Sequence, residues 1–471
     1  MRQWFLDSMT RVGGGRRRDD ADCPPPSWIN SRCPVGHSSG TPRFPRSLLT
    51  SLTSARELAS THMPRMTGVR SVCFVAPRAY AALSGRPDVA HVGGAERQQV
   101  LLADALIRRG LSVSFVVLDH GQPDGQDIRG IRLFKCYESG RGPRGFRFFH
   151  PRLTGLWGAM NRAGADVYYQ RGADSDTGVV ANWCRRHHRG FIFAISHDVR
   201  QMARPTFWPN SLEYLLFRYG LRNADVVLAQ TLQQQSALLD MFGLPSTVVR
   251  SCCSLPPAAA DSSTEDIRVD GFGVVLWAGR FSEEKRPDWV ARLARELPEH
   301  QFEVVGHSNV DSTYARDVVR QFQSLPNVRW PGYVAHTNMS PFYQRAQLLL
   351  STSKAEGFPN VFLEAWSHGK AVLSTVDPGG VVTNFRLGKV VAEYQQMKQI
   401  LQERQLYPSL WEGAGQRGRR YVGLHHSPAA VGAALETVVQ QCHELARSKT
   451  LRKWRSQRGE RDTAAPRRRQ R

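Results

Sequence analysis

Two glutamates separated by seven residues, Glu356 and Glu364, are the strongest chemical signal in the sequence. The apolar run at residues 348–353 predicts a short buried strand, and the run after Pro359 predicts an amphipathic helix. One carboxylate is therefore expected in the loop at the carboxyl end of a parallel strand, and the other one turn into the helix. Open α/β sheets bind ligands at this edge. Carboxylates accept hydrogen bonds, so the pair suits ligand hydroxyl groups rather than phosphates.

Two basic residues, Arg280 and Lys285, follow a second buried strand pattern at residues 273–278. Arginine offers a planar fork for phosphate oxygens, and lysine offers a flexible point charge. The helix expected after Pro359 adds free backbone N–H groups and the positive end of its dipole. These features predict a site for a diphosphate. A solvated charge run is the alternative, because residues 283–286 are also charged.

Three glycines occupy positions where a backbone can approach a ligand closely. Gly357 lies in the loop of the first glutamate, and Gly93 and Gly94 precede a helix predicted from about residue 96 to 109. Glycine has no side chain to hold a ligand away from the backbone. The two adjacent glycines also fit a plain turn between a strand and a helix, so both interpretations stay open.

Strand and helix patterns alternate along most of the chain, which predicts parallel sheets with helices on their faces. Two series of buried strand patterns indicate two successive α/β domains, an N-terminal domain over residues 66–255 and a C-terminal domain over residues 265–427. The Pro-, Ala- and Ser-rich stretch 255–264 is typical of an interdomain linker. A helix predicted over residues 428–447 completes the fold.

The two ends of the chain differ in composition from its middle. Residues 1–65 are rich in Arg, Pro, Ser and Gly, and are expected to be disordered or to be a mis-annotated extension before a true start at Met63 or Met66. Residues 448–471 are expected to form a basic disordered tail. The first 65 residues and residues 449–471 carry 13 of the net +22 charges. The remaining excess suits phosphorylated or membrane-surface ligands, and nucleic acid is not an expected partner.

The eight cysteines show no C-x-x-C spacing, and several lie in apolar strand-like runs that are typical of buried reduced thiols. No run of about 18 apolar residues predicts a membrane-spanning helix. The amino terminus lacks the continuous apolar run of an export signal. We expect a cytoplasmic protein that makes peripheral contact with the anionic inner face of the cell membrane.

Three motifs together resemble the retaining glycosyltransferases of family 4. They are the glutamate pair separated by seven residues, the A-G-R-F-S-x-x-K segment at residues 278–285, and the G-G-A-E-R loop at residues 93–97. The resemblance covers about residues 68–445. It implies the α/β architecture called GT-B, in which two Rossmann-like domains face each other across a cleft and a C-terminal helix packs back toward the first domain.

The resemblance also implies a role for each candidate site residue. Glu364 would hold the ribose hydroxyls of a nucleotide-diphosphate sugar. Glu356 would lie at the donor sugar, either as a transient nucleophile or, as we favour, as a positioning and charge-stabilising group. His197, which follows a buried strand, would face the donor sugar as a second catalytic candidate, with a loop-capping role as the alternative. The candidate donor-binding residues are Arg280, Lys285, Glu364, Gly357, Phe358, Pro359, Asn360, Val361, Gly93 and Gly94.

Other polar residues carry weaker signals. Arg171 follows a strand and could reach an acceptor or a phosphate, or form a structural ion pair. Asp198 is expected to cap a loop or helix. The D-S-D triplet at residues 174–176 precedes a helix, so a helix cap is predicted there and no metal site is expected.

The sequence departs from the family at residues 249–254, where a Pro-Asn-Gly turn is customary, and at residues 379–384, where a glutamate is missing.

The sequence therefore predicts a retaining, metal-independent transferase that needs no cofactor. It would move a sugar from a nucleotide-diphosphate sugar onto a glycan or lipid-linked acceptor, in polysaccharide or glycoconjugate biosynthesis. One alternative is a nucleotide-sugar-binding protein without turnover, which the altered hinge and glycine turn allow. A second alternative is a nucleic-acid-binding protein that acts through its basic ends.

Overall fold

The structure is a computed structural model that describes residues 68–86, 93–142, 148–256, 273–307, 312–404 and 407–457. Three predicted segments lie outside these described residues: the extension over residues 1–65, most of the linker after residue 255, and the end of the basic tail.

The strands and helices are numbered in chain order. The strands are β1 (Ser71–Val75), β2 (Ser112–Val117), β3 (Asp127–Ile128), β4 (Ile131–Lys135), β5 (Val167–Arg171), β6 (Gly190–Ala194), β7 (Val226–Ala229), β8 (Thr247–Val248), β9 (Val274–Ala278), β10 (Phe302–Val305), β11 (Val328–Gly332), β12 (Ala346–Ser351), β13 (Ala371–Ser374) and β14 (Gly388–Val390). The helices are α1 (Tyr80–Ser84), α2 (Gly94–Ile107), α3 (Thr154–Ala163), α4 (Asp176–His187), α5 (Val199–Met202), α6 (Ser211–Asn223), α7 (Leu232–Phe242), α8 (Pro287–Glu296), α9 (Thr313–Gln323), α10 (Ser340–Arg345), α11 (Asn360–Ser367), α12 (Val381–Asn384), α13 (Tyr394–Glu403), α14 (Pro408–His425) and α15 (Pro428–Gln457).

The first domain is built on a sheet with the strand order β3-β4-β2-β1-β5-β6-β7-β8. Its pairings are parallel except for the short β3–β4 pair. Alternate residues of β1 enter cores on opposite faces of the sheet, with Val72 and Phe74 in one core and Cys73 and Val75 in the other. Helices cover both faces, as the unbroken apolar strand patterns predict.

The second domain repeats this arrangement with a parallel sheet in the order β11-β10-β9-β12-β13-β14. Trp277 of β9 packs in one core and Leu276 in the core on the other face. The two parallel-sheet domains confirm the expected GT-B architecture. The helices α13 and α14, which the sequence analysis did not predict, complete the second domain.

The C-terminal helix α15 packs against the first domain, as expected. Its apolar side chains Val431, Leu435 and Cys442 lie in the core that also contains β1. Lys449 forms an ion pair with Asp225, at 2.6 Å, where β7 is about to begin. The helix continues to Gln457, although the tail was expected to be disordered from residue 448.

The segment that leaves the first domain is held on two sides, although it lacks the family's customary turn. The side-chain amide of Gln98 on α2 bonds both backbone groups of Cys252, at 2.7 and 2.8 Å. The backbone N–H of Cys253 donates to the carbonyl oxygen of His426, and the imidazole Nδ1 of His426 bonds the carbonyl oxygen of Ser251 at 2.7 Å. This crossing point therefore contains a fully buried imidazole.

We expect acid to destabilise the protein partly through His426. Burial lowers the pKa of this imidazole to about 4. The unfolded chain takes up the proton near pH 6.5, so the free energy of unfolding should fall as pH is lowered from about 6.5 to about 4, by up to about 3 kcal/mol. Urea denaturation at pH 7 and pH 4.5 should show a smaller difference for His426→Asn, whose amide can still donate to Ser251. The same substitution at the exposed His120 is the control, and an unchanged pH dependence in His426→Asn would contradict this assignment.

Candidate functional site

The loops that follow β6 and β12 meet at the cleft between the two domains. A Cβ atom on Gly357 would lie 2.5 Å from the carbonyl oxygen of Ser196, which is closer than real Cβ contacts allow. Only glycine therefore permits this approach of the two backbones. The contact brings the loop of Glu356 beside His197, the residue after Ser196. Two catalytic candidates from different domains thus lie near each other in the cleft.

The carboxylate of Glu356 is held by two groups of its own domain. Its Oε1 forms an ion pair with the ammonium of Lys285 and accepts a hydrogen bond from the hydroxyl of Ser353 at 2.7 Å. Both charged side chains are mostly buried. The structure therefore brings together one predicted carboxylate and one predicted cation from loops 71 residues apart in sequence.

Thr352 fixes the loop of Lys285 against the loop of Glu356. Its hydroxyl donates to the carbonyl oxygen of Lys285 at 2.6 Å and accepts a hydrogen bond from the indole N–H of Trp277 at 3.0 Å. The guanidinium of Arg286 donates to the carbonyl oxygen of Thr352 and lies over the ring of Trp289, 3.9 Å from the ring centre. This network holds the cationic loop in one conformation at the end of β9.

Glu364 lies in the second turn of α11, as predicted, but its carboxylate already has partners. Oε1 forms an ion pair with Arg97 of the first domain, and Oε2 accepts a hydrogen bond of 2.7 Å from the hydroxyl of Tyr343. His336 lies 3.5 Å from Oε1. Burial alone would raise the pKa of Glu364, but Arg97, His336 and Tyr343 together lower it to about 2. The carboxylate is therefore ionised throughout the physiological pH range.

The amino-terminal end of α11 also contacts the first domain. The side-chain amide of Asn360 donates to the carbonyl oxygen of Gly94 at 2.9 Å. A Cβ on Gly94 would lie 2.8 Å from the same amide nitrogen. The glycine-rich loop of the first domain thus lies next to the first residue of α11 and to the ion pair between Arg97 and Glu364. The side chain of each predicted glutamate is engaged by protein groups in this conformation of the cleft.

A group of cations surrounds His197. Desolvation in the cleft lowers the pKa of His197, and the charges of Arg171, Arg280 and Lys285 lower it further. Its Nδ1 lies 3.0 Å from the hydroxyl of Ser196. The imidazole therefore stays neutral near pH 7, with one ring nitrogen able to donate a hydrogen bond.

Several weaker predictions are now located. Asp198 accepts the backbone N–H of Arg200 at 2.7 Å and caps α5, as expected. Asp174 accepts the backbone N–H of Asp176 at 2.9 Å at the start of α4, so the D-S-D triplet does serve the helix end. Asp176 itself is paired with Arg152 at 2.8 Å. Among the described residues, no group of three or more His, Cys, Asp and Glu side chains is placed to hold a metal ion.

Other candidate donor-binding residues face the protein interior. The ring of Phe358 is buried and lies 5.4 Å from the ring of His426, and Val361 packs against the same core. Pro359 is the residue before the first turn of α11. These residues leave only their backbone groups for a ligand.

In the described part of the chain no helix is both long and apolar enough to cross a membrane.

The glycine turn after β13 contributes a further contact across the cleft. Gly379 and Gly380 both have positive φ angles, near 70°, which favours glycine. The backbone N–H of Gly379 donates to the side-chain oxygen of Gln233 on α7 at 3.1 Å. Asp377 accepts the backbone N–H groups of Val382 and Thr383 at the start of α12, so the turn keeps its shape without the missing glutamate.

Sequence reasoning missed several residues of this site. They are Arg97, Ser196, Gln233, His336, Tyr343, Ser353 and Gln230, whose side chain lies beside Gly357 and accepts a hydrogen bond from Arg171. Arg97 belongs to the quoted G-G-A-E-R loop, so a basic residue in that motif was the available signal. The others have no local pattern that marks them, because their partners lie far away in sequence.

The fold and the site define a class: a two-domain α/β protein of GT-B architecture with a basic cleft and two glutamates that each form an ion pair. Family models agree with this class. The description "Glycosyl transferases group 1" matches residues 273–402, and "Glycosyl transferase 4-like domain" matches residues 93–253. Together these matches take in more than half of the chain. The chain belongs to the group 1 glycosyltransferases, as the family 4 resemblance predicted.

Individual relatives are more distant. The chain is 25% identical over 179 residues to the GtfA subunit of a UDP-N-acetylglucosamine–peptide N-acetylglucosaminyltransferase from Streptococcus pneumoniae. The match covers 36% of this chain and 35% of that protein. The chain spans little more than a third of the length of the curated relatives it matches. Among solved structures, sucrose-phosphate synthase from Thermosynechococcus elongatus has a TM-score of 0.65 and 19% identity over 79% of this chain and 98% of that one. HepE from Anabaena, in complex with UDP-glucose, has a TM-score of 0.61 and 16% identity over 78% and 99%. These structures show the same fold.

We expect Arg97→Gln to destabilise the protein by about 3–5 kcal/mol, because it leaves the buried carboxylate of Glu364 without its cation. The matched control is Arg109→Gln, in the turn that follows the same helix, whose ion pair with Glu436 is more exposed and should be worth less than about 1 kcal/mol. Urea denaturation at pH 7 measures both. Adding Glu364→Gln to Arg97→Gln should recover most of the loss, because no buried charge then remains unpaired. Equal costs for Arg97→Gln and Arg109→Gln would contradict this account.

Proposed function

We propose that this protein is a retaining glycosyltransferase that moves a sugar from a nucleotide-diphosphate sugar onto a glycan or lipid-linked acceptor, without a metal or another cofactor. The observation that carries the proposal is the convergence, at one cleft, of Glu356 paired with Lys285 and Glu364 at the start of α11. Family membership supports glycosyl transfer as the reaction. A protein of the same fold, HepE, binds UDP-glucose, which supports a nucleotide-sugar donor.

The donor's diphosphate would bind to the second domain. Arg280 is exposed at the end of β9 and Lys285 is fixed five residues further on. The helix α11 begins four residues after Glu356, the partner of Lys285, and a helix amino terminus favours an anion. As the sugar leaves, negative charge grows on the diphosphate, and fixed cations stabilise that charge without reorganising.

The two glutamates would bind hydroxyl groups of the donor. Glu364 would accept hydrogen bonds from the ribose after Arg97 has moved away from Oε1, while Tyr343 keeps Oε2 in place. Glu356 would face the donor sugar, where its negative charge stabilises an electron-deficient sugar ring. Because Lys285 and Ser353 already hold Glu356, we assign it to positioning and charge stabilisation rather than to a covalent intermediate.

His197 would complete the donor-sugar site from the first domain. A neutral imidazole can donate a hydrogen bond to a sugar hydroxyl without adding a charge to a cleft that already contains several cations. Its position beside Gly357 means that it reaches the donor sugar only when the two domains are close together. Closure of the cleft would therefore couple donor binding to assembly of the catalytic groups.

The charge of the chain ends bears on where the protein acts in the cell. We propose peripheral contact with an anionic membrane, because the ends of the chain are strongly basic. A role in polysaccharide or glycoconjugate synthesis fits such a location. Binding to vesicles that contain anionic lipid, at low and at high salt, would test this contact.

We expect Lys285→Ala and Glu364→Ala each to weaken nucleotide-diphosphate binding by about 10- to 100-fold, since each removes a charge-assisted hydrogen bond to the ligand. A thermal-shift screen of UDP, GDP and ADP would choose the nucleotide, and isothermal titration calorimetry would measure its affinity. Arg295→Ala, an exposed cation on α8 of the same domain, is the control. Unchanged affinity in both variants would refute this donor site.

We expect the released sugar to keep the anomeric configuration that it had in the donor. Proton NMR of donor hydrolysis, recorded before the sugar mutarotates, would show this. Glu356→Gln should lower kcat by about 100-fold or more and leave nucleotide-diphosphate affinity nearly unchanged, because the carboxylate charge matters most in the transition state. An inverted product would refute the retaining mechanism, and full activity of Glu356→Gln would refute the role of this residue.

A further inference from the structure

Gln230 lies directly after β7, where the first domain meets the loop of Glu356. The strand β7 ends at Ala229, and the side chain of Gln230 is buried although it is polar. Its side-chain nitrogen lies 3.3 Å from the position that a Cβ atom on Gly357 would take. A buried amide needs partners for both its oxygen and its nitrogen. The partners of Gln230 therefore indicate its role.

The side-chain oxygen of Gln230 accepts two hydrogen bonds. One comes from a terminal nitrogen of the Arg171 guanidinium at 2.9 Å, and the other comes from the hydroxyl of Ser251 at 2.9 Å. The side-chain nitrogen of Gln230 donates to the carbonyl oxygen of Ile195 at 3.2 Å. Only one orientation of the amide satisfies two donors and one acceptor, so this side chain is fixed.

The same network holds the loop that carries His197. The backbone N–H of Gln230 donates to the side-chain oxygen of Gln234 at 2.8 Å, and the side-chain nitrogen of Gln234 donates to the carbonyl oxygen of His197 at 3.5 Å. Ile195 bonds Gln230 directly. The loop between β6 and α5 is thus tied to Gln230 on both sides of Ser196.

The position of the Arg171 charge also depends on Gln230. In the described part of the chain Arg171 has no carboxylate partner, and its buried Nε atom finds no hydrogen-bond acceptor there. The structural ion pair that was the alternative for Arg171 is therefore not formed with any described carboxylate. The bond to Gln230 keeps the guanidinium close to His197, where burial lowers the pKa of the imidazole and the charge of Arg171 lowers it further.

Ser251 connects this network to the crossing point between the domains. Ser251 is itself buried, and its hydroxyl is the second donor to Gln230. Its carbonyl oxygen bonds the imidazole of His426 at 2.7 Å. A shift of this segment when the domains open or close would therefore be passed to Gln230, and from there to Arg171.

We propose that Gln230 is a positioning residue of the transfer reaction, which orients Arg171 and the loop of His197 and links both to the crossing point at Ser251. The inference rests on the proposed function, in which His197 donates a hydrogen bond to the donor sugar. A misplacement of about 1 Å in a reaction site can slow the reaction about 100-fold. A residue that acts only through its neighbours can therefore set the rate.

Steady-state hydrolysis of a donor tests the effect on the reaction. UDP-, GDP- and ADP-linked glucose and N-acetylglucosamine are screened, and the donor that is hydrolysed fastest is used. Gln230→Met should lower kcat by about 10-fold or more and change the KM for the donor by less than about two-fold, because the diphosphate would bind to the second domain. Gln235→Met is the matched control, since it removes a hydrogen bond to the carbonyl oxygen of Ser246 in the same domain, and should change kcat by less than about two-fold.

The charged side chains near His197 come from both domains. They are Arg171, Arg280, Lys285, Asp198 and Glu356. Of the two carboxylates, one caps α5 and the other is paired with a lysine, so the cations dominate the surroundings of the imidazole. The side chain of His197 is exposed to solvent, so a small reagent reaches it.

Labelling with diethylpyrocarbonate, which reacts with neutral imidazole, gives a measurement that does not depend on turnover. Gln230→Glu keeps the acceptor for Arg171 and Ser251 but adds a carboxylate that offsets the charge of Arg171, so the pKa of His197 should rise. The pH at which labelling of His197 is half-maximal, measured by peptide mass spectrometry, should move upward. The ratio of kcat at pH 6 to kcat at pH 8 should fall by about two-fold or more. Gln235→Glu should leave both quantities unchanged.

The outcomes separate positioning from a purely structural role. Equal losses of kcat in Gln230→Met and Gln235→Met, a raised KM with unchanged kcat, or an unmoved labelling midpoint in Gln230→Glu would each overturn the proposal. If urea denaturation shows that Gln230→Met does not fold, the two pH measurements on Gln230→Glu decide. If no donor is hydrolysed, the labelling midpoint alone decides, and an additional failure to bind any nucleotide would show that the proposed function has failed rather than this inference.

Discussion

The ion pair between Arg97 and Glu364 is the interaction on which the described state of the cleft depends. It joins α2 of the first domain to the second turn of α11 in the second domain, across 267 positions of sequence. A buried carboxylate needs a nearby cation to stay ionised, and here that cation comes from the opposite domain. The same carboxylate would serve the donor's ribose, so the groups that close the cleft are also groups that a donor would engage. Glu364 can therefore serve either Arg97 or the ribose, and a bound donor would have to displace Arg97 from this carboxylate.

Small residues make this arrangement possible. Gly357 allows the loop after β12 to touch the backbone of Ser196, and Gly94 allows the amide of Asn360 to reach across the cleft. A side chain at Gly357 would meet the backbone of Ser196 and separate the domains, whereas at Gly94 it would only displace the side-chain amide of Asn360. The requirement for glycine at these loops therefore comes from contact between two domains, in addition to any contact with a ligand. A sequence pattern alone does not distinguish these two reasons.

The fold could be predicted well from sequence because its strands are buried on both faces. Four of the five residues of β1 and five of the six residues of β12 are buried, and the alternation of such runs with helical patterns indicates parallel sheets. The helices α13 and α14 were not predicted, although the amphipathic pattern of α13 was an available signal. The candidate site was predicted in part. Lys285, Glu356 and Glu364 all come after the carboxyl ends of strands, and open α/β sheets bind their ligands at that edge. Tyr343 and Gln230 could not be predicted, because each acts through a partner that only the folded chain brings near.

The distribution of charge within the cleft is more informative than the net charge of the chain. The total of +22 is dominated by the two ends and says little about the reaction. Inside the cleft, each glutamate is matched by one cation, whereas Arg171, Arg250 and Arg280 have no carboxylate partner among the described residues. Uncompensated cations in a partly desolvated site are stable only if anions bind there or water reaches them. In the proposed function, one diphosphate would account for the cations of the second domain. In the first domain, Arg250 is exposed, so water reaches it, and Arg171 donates to the side-chain oxygen of Gln230. The first domain therefore needs no second anion to keep its cations stable.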